Sequence, residues 1–173
     1  MLTHSFCPGV TRGLANLVFA TSMMVTGLSS LPAMAAETLL TVVSGDGTET
    51  AFTRDRLESL PQHAFRTETQ WTWEEKEFSG PLLTDVLAEV GISDGTVELV
   101  ADDGYQVQLN IEDSADYLTK DYPIIATRTD GQPFPVDEMG PLWVIFPYDG
   151  HPELEAKPVY DISIWQLVKI VDK

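Results

Sequence analysis

Cysteine is almost absent from this 173-residue chain: Cys7 is the only one, and it lies in a leader-like segment. Disulfides and thiolate chemistry are therefore not expected in the rest of the protein. Histidine is nearly as scarce. Beyond His4 only His63 and His151 occur, neither with a second histidine three to five residues away, which excludes structural zinc. Positive charge is the third shortage, with 10 Lys and Arg against 27 Asp and Glu and a formal charge of −17. Such a surface lacks the basic clusters that neutralise nucleic-acid phosphates or an anionic lipid face, so neither partner is expected. No P-loop, no G-x-G-x-x-G turn and no serine in a G-x-S-x-G frame is present. The acidic turns Gly45-Asp46-Gly47 and Asp102-Asp103-Gly104 lack the ligand spacing of a calcium loop and read as turn chemistry.

Charge is also missing from the first 36 residues, where Arg12 stands alone. An uncharged stretch from Gly13 to Leu31 leads into Pro32-Ala33-Met34-Ala35-Ala36, a small-residue cleavage signal. Residues 1–35 are thus expected to be a signal peptide, cut after Ala35 or one residue later. Cys7 precedes the apolar run, so no lipoprotein anchor is expected, and a single arginine favours the general export route over the twin-arginine one. Cleavage removes Arg12 and no acid, which takes the charge from −17 to −18. The expectation is a periplasmic protein, residues 36–173, with no membrane insertion after signal cleavage.

What is present reads as short strands with a few helices. Thr38–Val43 is a β-branched run ending in a Gly-Asp-Gly turn, and Glu49–Phe52 returns from it. Thr53 is placed to cap a short helix over Arg54–Ser59, stopped by Pro61. From Ala64 to Trp73 a period-two alternation predicts one strand with Trp71 and Trp73 on the same face. Leu82, Leu83, Val86, Leu87 and Val90 recur at helical spacing between Pro81 and Gly91. Thr96–Ala101 and Tyr105–Ile111 flank Asp102-Asp103-Gly104 as a hairpin, and Glu112–Leu118 suggests a helical turn. Ile124–Arg128, Leu142–Phe146 and Ile164–Val171 are further strand candidates. The sum is an α+β, sheet-dominated domain with two or three short helices and no internal repeat.

The residues that could serve a site are aromatic and polar rather than catalytic: Trp71, Trp73, Tyr105, Trp143, Tyr148 and His151, with Arg128 as a lone cationic contact and Trp165 a further aromatic of the C-terminal half. Aromatic walls with few polar groups suit a small-ligand pocket; core packing and a carboxylate partner for Arg128 are the structural alternatives.

Three stretches in order resemble the molybdopterin-binding oxidoreductase domain of the sulfite oxidase family. They are Phe78-Ser79-Gly80-Pro81-Leu82-Leu83-Thr84-Asp85-Val86-Leu87, then Ala101-Asp102-Asp103-Gly104-Tyr105, then Ile125 to Pro133 running on to Gly140-Pro141-Leu142-Trp143-Val144-Ile145-Phe146-Pro147. The resemblance implies the sulfite-oxidase-type fold and, in catalytic members, a molybdenum-molybdopterin cofactor ligated by a cysteine upstream of the Gly-x-x-Leu helix. Here that upstream region reads Thr67-Glu68-Thr69-Gln70-Trp71-Thr72-Trp73, with no thiolate. The family's basic segment reads Met139-Gly140-Pro141-Leu142-Trp143, with uncharged side chains at the His and Arg positions.

The expectation is therefore no cofactor, no catalytic residue and no metal. A non-catalytic envelope domain would bind a small ligand or a partner protein in a sensory or accessory role, and alanine at Arg128 or Trp143 would weaken binding without unfolding it. The alternative is a molybdopterin-dependent oxidoreductase that holds its cofactor without a cysteine ligand. A third reading is an interaction module whose acidic surface docks a basic partner.

Overall fold

The computed structural model describes residues 36–173, and the expected signal peptide lies outside the described residues. In chain order the elements are β1 (Thr38–Val43), β2 (Glu49–Thr53), α1 (Arg54–Ser59), β3 (Gln62–Thr67), β4 (Lys76–Pro81), α2 (Leu83–Glu89) and β5 (Thr96–Ala101). They continue with β6 (Gln106–Asn110), β7 (Ile124–Ala126), β8 (Arg128–Thr129), β9 (Gln132–Pro133), β10 (Trp143–Ile145), α3 (Lys157–Ile162) and β11 (Leu167–Asp172). Strands dominate, and the helices are six or seven residues long. None of the described helices is long and apolar enough to cross a membrane.

A five-stranded sheet runs in the order β2-β1-β11-β5-β6. Its one parallel pairing joins β1 to β11, and β11 is antiparallel to β5. Leu40 and Val42 of β1, Val97 and Leu99 of β5, and Leu167 and Ile170 of β11 are all buried, so one apolar set from three strands faces the core. The second sheet, β3-β4-β8-β9, abuts the two-stranded β10-β7 pair. A bridge between Leu82 and Ile124 and a hydrogen bond from the Thr127 N–H to the Ser79 carbonyl (2.9 Å) stitch the two together.

Close backbone approaches, at that seam and in the loop before β10, explain two glycines in the stretches that carry the family resemblance. A Cβ at Gly80 would stand 2.0 Å from the Ile125 carbonyl oxygen, and one at Gly140 would stand 2.4 Å from the carbonyl oxygens of Phe134 and Pro135. Backbone, not a movable side chain, occupies both spaces.

Local signals succeed where they are self-contained. Thr53 caps α1 by accepting from the Arg56 N–H (3.3 Å), and β5 and β6 pair across the Asp-Asp-Gly turn. Four expectations need correction. The strand predicted to run to Trp73 ends at Thr67, because Thr69 Oγ1 accepts from the Trp71 and Thr72 N–H groups (3.1 and 3.0 Å) while Thr72 Oγ1 accepts from the Thr69 N–H (3.0 Å). Those side-chain bonds replace the ladder with a turn. Pro81 closes a strand, β4, rather than opening α2, which begins at Leu83 with Leu82 as its cap position. Ile124–Arg128 divides at Thr127 into two strands with different partners, β10 and β4. Ile164–Val171 becomes a strand only from Leu167, because Gln166 sits at φ 50, in the left-handed region, and turns the chain.

Candidate functional site

The Thr69 turn decides where the tryptophans go. Trp71 points inward and meets four aromatic rings edge to face: Trp143 at 5.8 Å, Tyr148 at 6.4 Å, Tyr160 at 5.7 Å and Trp165 at 5.6 Å between centroids. Trp73, two residues on, is 100% exposed. The expectation that both share one strand face therefore fails, since a turn has no period of two. Two hydrogen bonds hold this turn against the loop after Tyr148: the Glu68 N–H donates to Asp149 Oδ2 (2.9 Å) and the Asp149 N–H to Thr67 Oγ1 (3.2 Å).

Trp71 is the wall between two clefts. The first, about 350 Å³, is lined by Trp71, Tyr105, Tyr160 and Trp165, with Gln70, Asp103, Asp161 and Ser163 among its polar groups. The second, about 310 Å³, lies on the other side of Trp71 between Trp73, Phe78, Phe134 and Met139, with Glu74, Lys76, Asp137 and Glu138 around it. Trp143 forms its closed floor and has no surface open to water. Different elements bring the first cleft together. Tyr105 comes from the β5–β6 turn, where Asp103 Oδ1 accepts its N–H (2.9 Å), and its hydroxyl reaches across to the Asp161 carbonyl (3.2 Å). Tyr160 and Asp161 ride on α3, and Trp165 is set by the Gln166 turn and a bridge to Trp143.

Of the residues singled out in sequence, Trp71, Tyr105, Trp143 and Tyr148 are brought to this region, and Trp73 lies on the rim of the second cleft. Arg128 and His151 line neither cleft. Arg128 donates to Glu58 Oε2 (2.8 Å) across the α1–β8 contact, the carboxylate-partner alternative. His151 pairs with Glu153 (2.9 Å) and sits edge-on to Tyr122. Tyr160 was missed because α3 offers so little: Val159 and Ile162 are its only buried residues and Pro158 reads as a break. The Ala-Lys-Pro sequence opening that helix was the one available signal.

Tyr148 is buried behind Trp71, and its hydroxyl shares a short hydrogen bond with Ser163 Oγ, which also donates to the Val159 carbonyl (2.9 Å). Burial pushes the phenol well above the ordinary tyrosine range, with the Ser163 hydrogen bond opposing it in part. Below pH about 10 both folded and unfolded forms keep this proton, and above it the unfolded chain releases the proton first. Stability should therefore fall as pH rises past 10, and Tyr148→Phe should flatten that fall. Denaturation midpoints measured between neutral and strongly alkaline pH check this; the same alkaline loss in both proteins would contradict it.

Among the described residues no group of three His, Cys, Asp or Glu side chains could hold a metal ion. The two lysines nearest the clefts are already engaged, Lys157 with Asp161 (2.6 Å) and Lys76 with Glu138 (3.5 Å).

The architecture is a sheet-dominated α+β fold of the sulfite-oxidase type, as the three stretches implied. Among solved structures, the chain is similar to the sulfane dehydrogenase SoxCD from Paracoccus pantotrophus, with a TM-score of 0.53 at 15% sequence identity. The match covers 77% of this chain and 37% of that one, so this chain spans little more than a third of that neighbour. No family model and no curated protein match the sequence.

Proposed function

We propose that this protein is an exported, non-catalytic domain of molybdopterin-binding-like fold that binds a small ligand in the cleft beside Trp71, in a sensory or accessory role in the periplasm. The observation that carries this reading is the first cleft itself: about 350 Å³ walled by four aromatic side chains with a few polar groups at its edge, the composition of a small-molecule site.

The cofactor that the fold family implies does not suit these residues. Molybdopterin is anionic and its metal takes a thiolate in the catalytic members, whereas the segment Thr67 to Trp73 delivers an indole to the cleft wall and no sulfur. Carboxylates edge both clefts, and the nearby lysines are paired with them. A bound phosphate would meet uncompensated like charge.

The test is molybdenum analysis, with pterin fluorescence after oxidative release, on protein purified from the periplasm of a native-like host. We expect neither above trace. Stoichiometric molybdenum with pterin would overturn this reading and make the protein an oxidoreductase with unusual ligation.

A further inference from the structure

We propose that the cleft lined by Trp71, Trp165, Tyr105 and Tyr160 takes an organic cation, a methylated or aromatic ammonium group, with Asp103 as its counter-charge. This rests on the reading of that cleft as a ligand site and adds the chemistry that fills it.

Trp71 meets Trp165 at 71° and Tyr160 at 89°, so neighbouring rings join as the corners of a box rather than as a flat stack. Tyr105 closes another side through its hydroxyl bond to the Asp161 carbonyl. An aromatic face carries partial negative charge, so a box of such faces attracts a diffuse, weakly hydrated cation more than it attracts an anion or a compact ammonium.

The charges at the edge agree. Two carboxylates line the cleft, Asp103 and Asp161, and no basic residue does. Asp103 Oδ1 accepts the Tyr105 N–H, and among the described residues neither of its oxygens has a Lys, Arg or His within ion-pair distance. Asp161 is different, because both its oxygens accept from Lys157 (2.7 and 2.6 Å), an exposed pair four residues apart on α3. Asp103 is thus the charge left for a ligand. With 27 acids against 10 bases in the chain, the long-range field also draws cations inward. A hard divalent ion needs six or more oxygens, which a box of indoles and phenols does not offer.

The experiment is a tryptophan-fluorescence titration of the purified protein at low ionic strength with choline and with its uncharged isostere, 3,3-dimethylbutan-1-ol. We expect choline to bind and the isostere to bind about tenfold more weakly. Trp165→Leu should weaken choline by about tenfold and Asp103→Asn by several fold, whereas Lys157→Gln, which releases Asp161, should tighten it by up to about fivefold. Asp103 is exposed at a turn, so Asp103→Asn keeps the test valid if Trp165→Leu fails to fold. Equal binding of the isostere overturns the cation assignment and leaves the cleft as a ligand site. Binding of neither overturns it as well, and a parallel calorimetric titration with indole, which is itself fluorescent, then decides the underlying reading: Trp165-dependent heat of binding preserves the ligand cleft, and none removes it.

Discussion

Trp143→Ala should cost about 3–5 kcal/mol, enough to remove roughly a fifth or more of the stability of a typical domain. Trp143 is completely buried, stacked on Phe134 (6.0 Å, 30°) and edge-on to Phe78 (5.5 Å), Trp71 and Trp165. Its indole N–H donates to the Ser163 carbonyl (3.2 Å), so alanine would leave a large void and a buried carbonyl without its partner. The expectation that alanine here would weaken binding without unfolding the domain is therefore corrected: this is a folding position. Urea denaturation and near-ultraviolet circular dichroism would measure the loss. Trp73→Ala is the control, since a fully exposed ring should cost less than about 0.5 kcal/mol. Equal stability of the two variants would show that the aromatic cluster is not packed as described.

Gly80→Ala should be as damaging although it adds a single methyl group. The new carbon would lie 2.0 Å from the Ile125 carbonyl oxygen, 2.8 Å from its carbon and 3.1 Å from Ala126 Cα, and no side-chain rotation relieves a clash with backbone. Overpacking by a methylene or two usually costs 1–3 kcal/mol where side chains give way, so about 3 kcal/mol or more is expected where β4 and β7 must separate. Their separation would also break the Leu82–Ile124 bridge. Ser79→Ala, one residue earlier, preserves the backbone and should be mild. A soluble Gly80→Ala protein with unchanged denaturation midpoint would refute the close approach.

Gly80 also marks where sequence reading reached its limit. The stretch around it resembles a known family and so disclosed the fold, yet the reason for a glycine lies in a strand about 45 residues away that no local pattern identifies. The same division runs through the chain. Thr53 and the Asp102-Asp103-Gly104 turn act on their immediate neighbours, and the elements they define appear where expected. Thr69 acts locally too, but its turn hides inside a period-two alternation in which threonines share a face with Phe65 and the tryptophans, so periodicity placed Trp71 and Trp73 together when the backbone sends them apart.

For the candidate site, the aromatic composition was legible and the partnerships were not. Arg128 stood out as a cation in an acidic chain, and only the fold reveals Glu58, 70 residues earlier, as its partner. Tyr160 belongs to the cleft through a six-residue helix with two buried side chains, too short for any period to emerge.

The five-stranded sheet imposes an order of events on folding. Its middle strand, β11, follows every other described strand in sequence, and it joins β1 to β5. The connection is long in sequence: the Gly45 N–H just past β1 bonds to Asp172 Oδ2, 127 residues later. As the chain emerges from a ribosome, β1–β2 and β5–β6 can each close as hairpins, but their inner edges stay open until β11 arrives. Two unpaired edges are an invitation to intermolecular pairing. Each molecule therefore passes an aggregation-prone interval between the appearance of β6 and that of β11, and the time needed to close that long loop sets how long the interval lasts.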